Sequence, residues 1–149
     1  MDSAERNSLL QQLDGSGSDL EWTAVYKLRE LGSEFATLLR ERYRSTKTWK
    51  ARAGCLFHAA RYARVSEDAF QLGVEALSDK SKPVRYQAAL LLAYSQREDA
   101  LPALRAAVSK VESDTGAADL RAAIDAIESR NHHYFVDRNH TGKITLTIE

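Results

Sequence analysis

The sequence predicts an all-α protein, an α-α superhelix of about four helix pairs closed by a short C-terminal β-hairpin. Three observations predict it. Residues 46–111 carry two copies of one helix–turn–helix pattern. The 149-residue chain has only seven glycines and two prolines among abundant Ala and Leu, a helix-forming composition. The apolar spacing follows the ~3.6-residue helical period up to about residue 130 and then changes to alternation.

Residues 4–13 read as a short helix with Leu9, Leu10 and Leu13 on one side. The Asp-Gly-Ser-Gly-Ser run at 14–18 breaks it, and Asp19 is the expected N-cap of a helix over 20–31 with Trp22, Val25, Tyr26 and Leu28 facing inward. Gly32 ends that helix. Ser33 is expected to cap the next, 34–44, whose inward residues are Phe35, Leu38 and Leu39. Thr46 or Thr48 opens the helix carrying Trp49, Cys55, Leu56 and Ala59, and Ser66 with Glu67 opens one through Leu77. Residues 79–83 form a polar break, 84–94 a helix, 95–99 a turn and 100–108 its partner helix. The run ESDTGAAD, 112–119, reads as a loop, with Thr115 or Asp119 opening a last helix to about Arg130. In the tail, Ile144, Leu146 and Ile148 alternate with Thr145 and Thr147. This predicts a strand, paired with 134–137 across a turn at 139–142.

The repeat emerges when Arg52 is aligned with Arg85. Ala51–Arg52 then matches Val84–Arg85, Cys55 matches Ala88, Phe57 matches Leu90, and Ala60 matches Ala93. Glu67-Asp68-Ala69 recurs as Glu98-Asp99-Ala100, and Phe70 matches Leu101. A repeat of roughly 31–33 residues lies in the range of stacked helix pairs. With Asp79, Val84, Arg85, Ala88, Leu91 and Leu92, residues 78–108 resemble the second-helix signature of HEAT-like repeats. In that family an Asp in the inter-helix turn and an Arg six residues later recur along the stack. Residues 46–77 fit with Thr46 in place of the Asp. The resemblance implies one domain, 1–149: divergent N-terminal repeats or a cap (1–45), clear repeats (46–77 and 78–111), a closing helix (112–130) and the hairpin tail (131–149). It also implies a concave face lined by helices 48–64, 84–94 and 119–130.

Charge does not select a partner class, because Lys plus Arg and Asp plus Glu both number 21. Cys55 is the single cysteine, so no disulfide framework exists, and its apolar repeat position predicts a small core residue. The first residues lack the apolar stretch of a signal peptide, and no apolar run approaches the ~20 residues of a membrane span. The expected setting is cytoplasmic, without membrane association.

The charges are nevertheless segregated. Arg40, Arg42, Arg44, Lys47, Lys50, Arg52, Arg61 and Arg64 face only Glu41 between residues 40 and 64, and Lys80, Lys82 and Arg85 follow one repeat later. Acids gather at 14–34 and in Glu112, Asp114, Asp119, Asp125 and Glu128. Stacking would join Lys47 and Lys50 to Lys80 and Lys82 near the inter-helix turns, a patch suited to an acidic partner or a phosphate backbone. Arg61, Tyr62, Arg64, Tyr86 and Tyr94 are expected to add aromatic and basic groups beside one groove. These nine are the candidate partner-binding residues. Arg52, Arg85 and Arg121 hold the signature position, where the resemblance implies bridging of neighbouring turns.

No catalytic site is expected. There is no Gly-x-Ser-x-Gly and no phosphate-binding Gly-rich loop, and the paired acids at 67–68 and 98–99 open helices. No cofactor is expected, and His132, His133, Asp137 and His140 lack the ligand pattern of a metal site. The leading reading is a non-catalytic module dedicated to one protein partner, as a binder or inhibitor. One form such a protein takes is a bacterial immunity protein that neutralises a toxin enzyme. The alternative is nucleic-acid binding, since some HEAT-like proteins resemble DNA-repair glycosylases with a basic concave face. A third reading is a bilin-lyase-like enzyme, since HEAT-like repeats occur in phycobilisome lyases.

Overall fold

A computed structural model describes residues 1–111 and 114–149. The described residues form an all-helical protein. The α-helices are α1 (Ser3–Gln11), α2 (Asp19–Leu28), α3 (Glu34–Ser45), α4 (Trp49–Ala59), α5 (Glu67–Ala76), α6 (Lys82–Ser95), α7 (Leu101–Lys110) and α8 (Asp114–Glu128). Short 3-10 turns extend several of them, and one, His132–Phe135, follows α8.

Small polar side chains start these helices where the sequence places them. The Thr48 hydroxyl accepts from the Ala51 N–H at the head of α4, and Ser66 accepts from the Ala69 N–H at the head of α5. Two starts differ by detail. Ser18 rather than Asp19 caps α2, accepting from the Glu21 N–H, and Ser33 makes no side-chain cap for α3. Pro83 sits in the first turn of α6, where a missing N–H costs nothing, so this helix starts at Lys82 inside the expected break. The expected loop at 112–119 is shorter than read. Helix α8 already begins at Asp114, and Glu112 and Ser113 lie outside the described residues.

Helices α4, α6 and α8 pack side by side in one row. Helix α3 packs on α4 and α5, α5 on α6, and α7 on α8, which gives a second layer. The core between them is Leu, Ala and Phe: Phe35, Leu39, Leu56, Leu72, Leu91, Leu92, Leu104 and Ile127 are fully buried. Gly73 permits the α5–α6 crossing, since a Cβ there would stand 2.7 Å from the Leu91 Cδ2 atom. Cys55 is buried in this core, and burial pushes its thiol up to about 12.

The C-terminal hairpin is not formed, and the described residues contain no strand. Tyr134 and Phe135 are instead wound into the 3-10 turn. The Asn131 side chain accepts from the His133 N–H and starts that turn. The Asp137 carboxylate then closes 137–142 on itself, accepting from the Thr141 N–H and hydroxyl and from the Gly142 N–H. Residues 143–149 lie along the helices without a ladder. Their alternation holds in part: Leu146 and Ile148 pack on the core while Thr145 and Thr147 are exposed, but Ile144, expected on the same face, is exposed as well. It reflects one-sided burial of a single extended segment.

Candidate functional site

The N-terminal ends of α4 and α6 lie together because a buried ion pair ties their turns. Arg52 places Nε 2.9 Å and Nη2 3.2 Å from the Asp79 carboxylate, and its Nη1 donates to the Lys47 carbonyl oxygen at 2.7 Å. Asp79 also accepts from the Tyr43 hydroxyl at 2.7 Å and the Ser81 N–H at 2.9 Å. Burial alone would raise the Asp79 pKa. Arg52, the Ser81 N–H and Tyr43 outweigh it and hold the carboxyl below its ordinary value. Arg85 donates to the Asp79 carbonyl oxygen at 2.8 Å, so the two signature arginines converge on one turn. Arg121, the third, is exposed.

This bridge brings Lys47, Lys50 and Lys80 around one groove of 760 Å³, with Trp49 on its wall and Asp14 as its acid. Trp49 is 46% exposed, and the Lys50 Nζ stands 5.8 Å from its ring centroid. Lys82 turns away, toward Tyr86 and the start of α8. Most nearby arginines are paired with acids: Arg40 with Asp68, Arg44 with Glu75, and Arg97 with Glu67 and Asp99. Among the described residues, Lys47, Lys50, Lys80 and Lys82 have no such ion pair.

The remaining sequence candidates lie elsewhere. Tyr62 is not a surface side chain. The 3-10 turn after α4 rotates it inward, and it is buried edge-on to Phe35 with ring centroids 6.1 Å apart. Tyr86 and Tyr94 are half-buried beneath the C-terminal segment, Tyr86 against Phe135 at 5.4 Å and Tyr94 against His132 at 5.2 Å. Arg64 lies 4.0 Å over the Tyr94 ring, donates to the Tyr94 carbonyl oxygen and reaches the His132 Nδ1 at 3.1 Å. Burial, then the neighbouring His133 and Arg64, lower the His132 pKa and keep this nitrogen an acceptor. Arg61 and Arg29 both donate to the Glu149 carbonyl oxygen, and the His133 Nδ1 accepts from the Leu146 N–H. Four of the nine candidates, Arg61, Arg64, Tyr86 and Tyr94, thus adjoin the chain's own tail. His140 is spent on Asp125 at 2.6 Å, stacked on Tyr134. No three metal-ligating side chains converge among the described residues.

A second hollow was not read from the sequence. The 14–18 loop lies flat on α4 because Gly15 and Gly54 face each other, and a Cβ on Gly54 would stand 3.1 Å from the Gly15 Cα. The Glu21 carboxylate holds the loop, accepting from the Gly15 N–H at 3.0 Å and the Gly17 N–H at 3.3 Å. Its other oxygen is 3.2 Å from the His58 Nε2, and both side chains are buried. Trp22 and Phe57 stand edge-on to the His58 ring, each at 5.2 Å. The cleft beside them, 510 Å³, is bounded by Trp22, Trp49, Phe57, His58 and Gln87. The one local signal was a histidine three residues after Cys55 on the buried stripe of α4.

The loop gives a direct test of this construction. Gly15 has φ +79°, and a Cβ there would lie 1.9 Å from the Lys50 carbonyl oxygen, whereas Gly17 has φ +72° and open space. Gly15→Ala is expected to cost about 2–3 kcal/mol and Gly17→Ala about 1 kcal/mol in urea unfolding. Equal losses would show that the loop does not rest on α4.

No family model matches the chain, and neither a curated protein nor a solved structure matches it.

Proposed function

We propose that the protein is a non-catalytic, short helical-repeat module that docks one acidic partner protein through the lysine groove at the heads of α4 and α6. The observation that carries this reading is the set of unpaired lysines around an exposed tryptophan. Arg40, Arg44 and Arg97 are answered by acids, whereas Lys47, Lys50 and Lys80 share one groove with no ion pair among the described residues, and Trp49 offers its ring between them. Three lysines against the single acid Asp14 around an aromatic anchor suit a protein contact, the charge setting the encounter rate and the ring the buried area. The repeat-stack reading is supported by Arg52 and Arg85, equivalent by alignment, which both reach Asp79. An inhibitor of a toxin enzyme is one partner relation that fits a module of this size.

The test is a comparison of partner capture by the wild-type chain and by Lys47→Glu/Lys50→Glu/Lys80→Glu. The expected result is at least ~10-fold weaker capture of the same partner, with unchanged helicity by circular dichroism. Equal capture would move the contact off this groove.

A second reading, nucleic-acid binding, is favoured by the same Trp49 ring among lysines, an arrangement that stacks a base beside phosphates. Salt separates the two. Binding of a generic DNA duplex or single strand that falls steeply between low and moderate salt supports nucleic acid, and no detectable shift at low salt removes it.

A further inference from the structure

Residues 143–149 run in extended form from the turn after α8, past α6, to the ends of α4 and α2. The Leu146 N–H donates to the His133 Nδ1, Glu149 lines a cleft with Gln87 of α6, and Arg61 and Arg29 donate to the Glu149 carbonyl oxygen. We propose that this path is a peptide-docking seat, held in cis by the tail, that takes an extended segment of a partner protein with aliphatic side chains two residues apart and an acid after them.

The chemistry of the occupant is read from the segment already seated. Leu146 and Ile148 are half-buried and pack on the core, while Thr145 and Thr147 are exposed. The seat thus takes alternate side chains, as an extended chain presents them. His133 answers one backbone N–H, and the two arginines answer one carbonyl oxygen. Any sequence supplies those main-chain groups, so selection falls to the aliphatic pair and the acid. The acid is called for by charge. Burial and then Arg61 lower the Arg29 pKa, and Glu149 is among the groups that oppose this. Asp19 is the other acid of that hollow.

The tail holds the seat loosely. Among the described residues, the Leu146 N–H and the Glu149 carbonyl oxygen are the backbone groups of 144–149 bonded to the rest of the protein. Seven residues are ordered for two half-buried aliphatic side chains, a poor return on conformational entropy. Arg29, one of the two clasping arginines, keeps its Nε buried without a partner. Two hollows flank Glu149, of 510 and 530 Å³, and Trp22 lines both, with Phe57 in the first and Tyr26 in the second. Their walls give a longer segment aromatic surface to bury. A partner segment that makes one more main-chain bond or fills one hollow therefore displaces the tail.

The probe is the peptide Lys-Ile-Thr-Leu-Thr-Ile-Glu, capped at both ends, dye-labelled and followed by fluorescence anisotropy. Leu146→Asp/Ile148→Asp in the full chain opens the seat. This variant is expected to bind the peptide saturably with a Kd below ~1 mM, and the wild-type chain at least ~10-fold more weakly, because its own tail competes at high effective concentration. Leu146→Ala/Ile148→Ala, a milder opening, should give the same order of affinities. A peptide with both aliphatic positions replaced by Asp should not bind, and one ending in Lys should bind at least ~5-fold more weakly. Arg29→Ala/Arg61→Ala in the open variant should weaken the parent peptide by at least ~5-fold. Lys47→Glu/Lys80→Glu in the open variant should leave its affinity unchanged. A loss there would put the peptide in the lysine groove and overturn the seat. No saturation by open variants of native helicity, or equal affinity for the wild-type and open chains, also overturns it. A wild-type dimer in light scattering that Leu146→Asp/Ile148→Asp abolishes would make the occupant a second copy's tail and overturn the partner segment.

Discussion

Replacing Asp79 with alanine is expected to destabilise the protein by about 3–5 kcal/mol, although no apolar contact of note is lost. Asp79 is the acceptor for Arg52, for the Tyr43 hydroxyl and for the Ser81 N–H. The Arg52 and Asp79 side chains are 10% and 5% exposed, so the variant strands a guanidinium where water hardly reaches. Among the described residues, only the Lys47 carbonyl oxygen continues to accept from Arg52. Exposed pairs such as Arg105 with Glu128, at 3.6 Å, should be worth about 0–1 kcal/mol, so Glu128→Ala is the matched control. The pH dependence has a definite sign. The folded pKa of Asp79 lies below its ordinary value, so its contribution is present above pH ~4 and fades as the pH falls through the folded value. Urea unfolding of wild type and variant should therefore differ most near neutrality and converge in acid. A difference near 1 kcal/mol at pH 7 would reduce Arg52–Asp79 to a surface pair and remove the reason the two lysine-bearing turns sit together.

That bridge also shows how much of the molecule could be read in advance. Arg52 and Arg85 stand out in sequence because repeat positions recur, and recurrence carries long-range information that a single helix does not. The same alignment predicts that Lys47 and Lys50 adjoin Lys80, and the three do line one groove. Lys82 escapes this reading because Pro83 lies in the first turn of α6, so Lys82 already belongs to the helix and faces α8. The tail misled for a different reason. Alternation of Leu146 and Ile148 with Thr145 and Thr147 reports burial on one side of an extended chain, with Ile144 left exposed, and says nothing of whether a second strand is paired to it. Local hydrogen bonds accepted by the Asn131 and Asp137 side chains decided against the pair. Tyr62 looked exposed because it sits between arginines at 61 and 64 and the alanine next to it. The change from α to 3-10 winding at residue 60 turns it toward Phe35. Glu21 and His58 are 37 residues apart on different helices, and neither the repeat nor any local pattern links them.

Phe135→Ala is expected to cost about 3–5 kcal/mol, the other large effect. Its ring is fully buried, although it belongs to a turn of only four residues. That turn packs against α6 and α8, with Phe135 against Tyr86 and with Arg138 5.4 Å from the Phe135 centroid on the tail side. The tail beyond the turn is held by polar contacts, Asp137 with the 141–142 backbone and the His133 Nδ1 with the Leu146 N–H, and by the partly buried Leu146 and Ile148. Single net hydrogen bonds contribute only ~1 kcal/mol each, so they cannot hold the tail once the ring that anchors it is gone. The loss should thus be local before it is global. In hydrogen exchange, the Leu146, Thr141 and Gly142 amides should lose protection in Phe135→Ala while α5 and α6 retain theirs. Ile144→Ala, at a side chain already 50% exposed, should change stability by less than ~0.5 kcal/mol and leave those amides protected. If the tail amides stay protected in Phe135→Ala, Leu146, Ile148 and the arginine contacts to Glu149 hold the tail without the turn. If instead protection is lost there alone, the tail is a strap anchored at Phe135, and its release exposes Tyr86 and Tyr94 on the row formed by α4, α6 and α8.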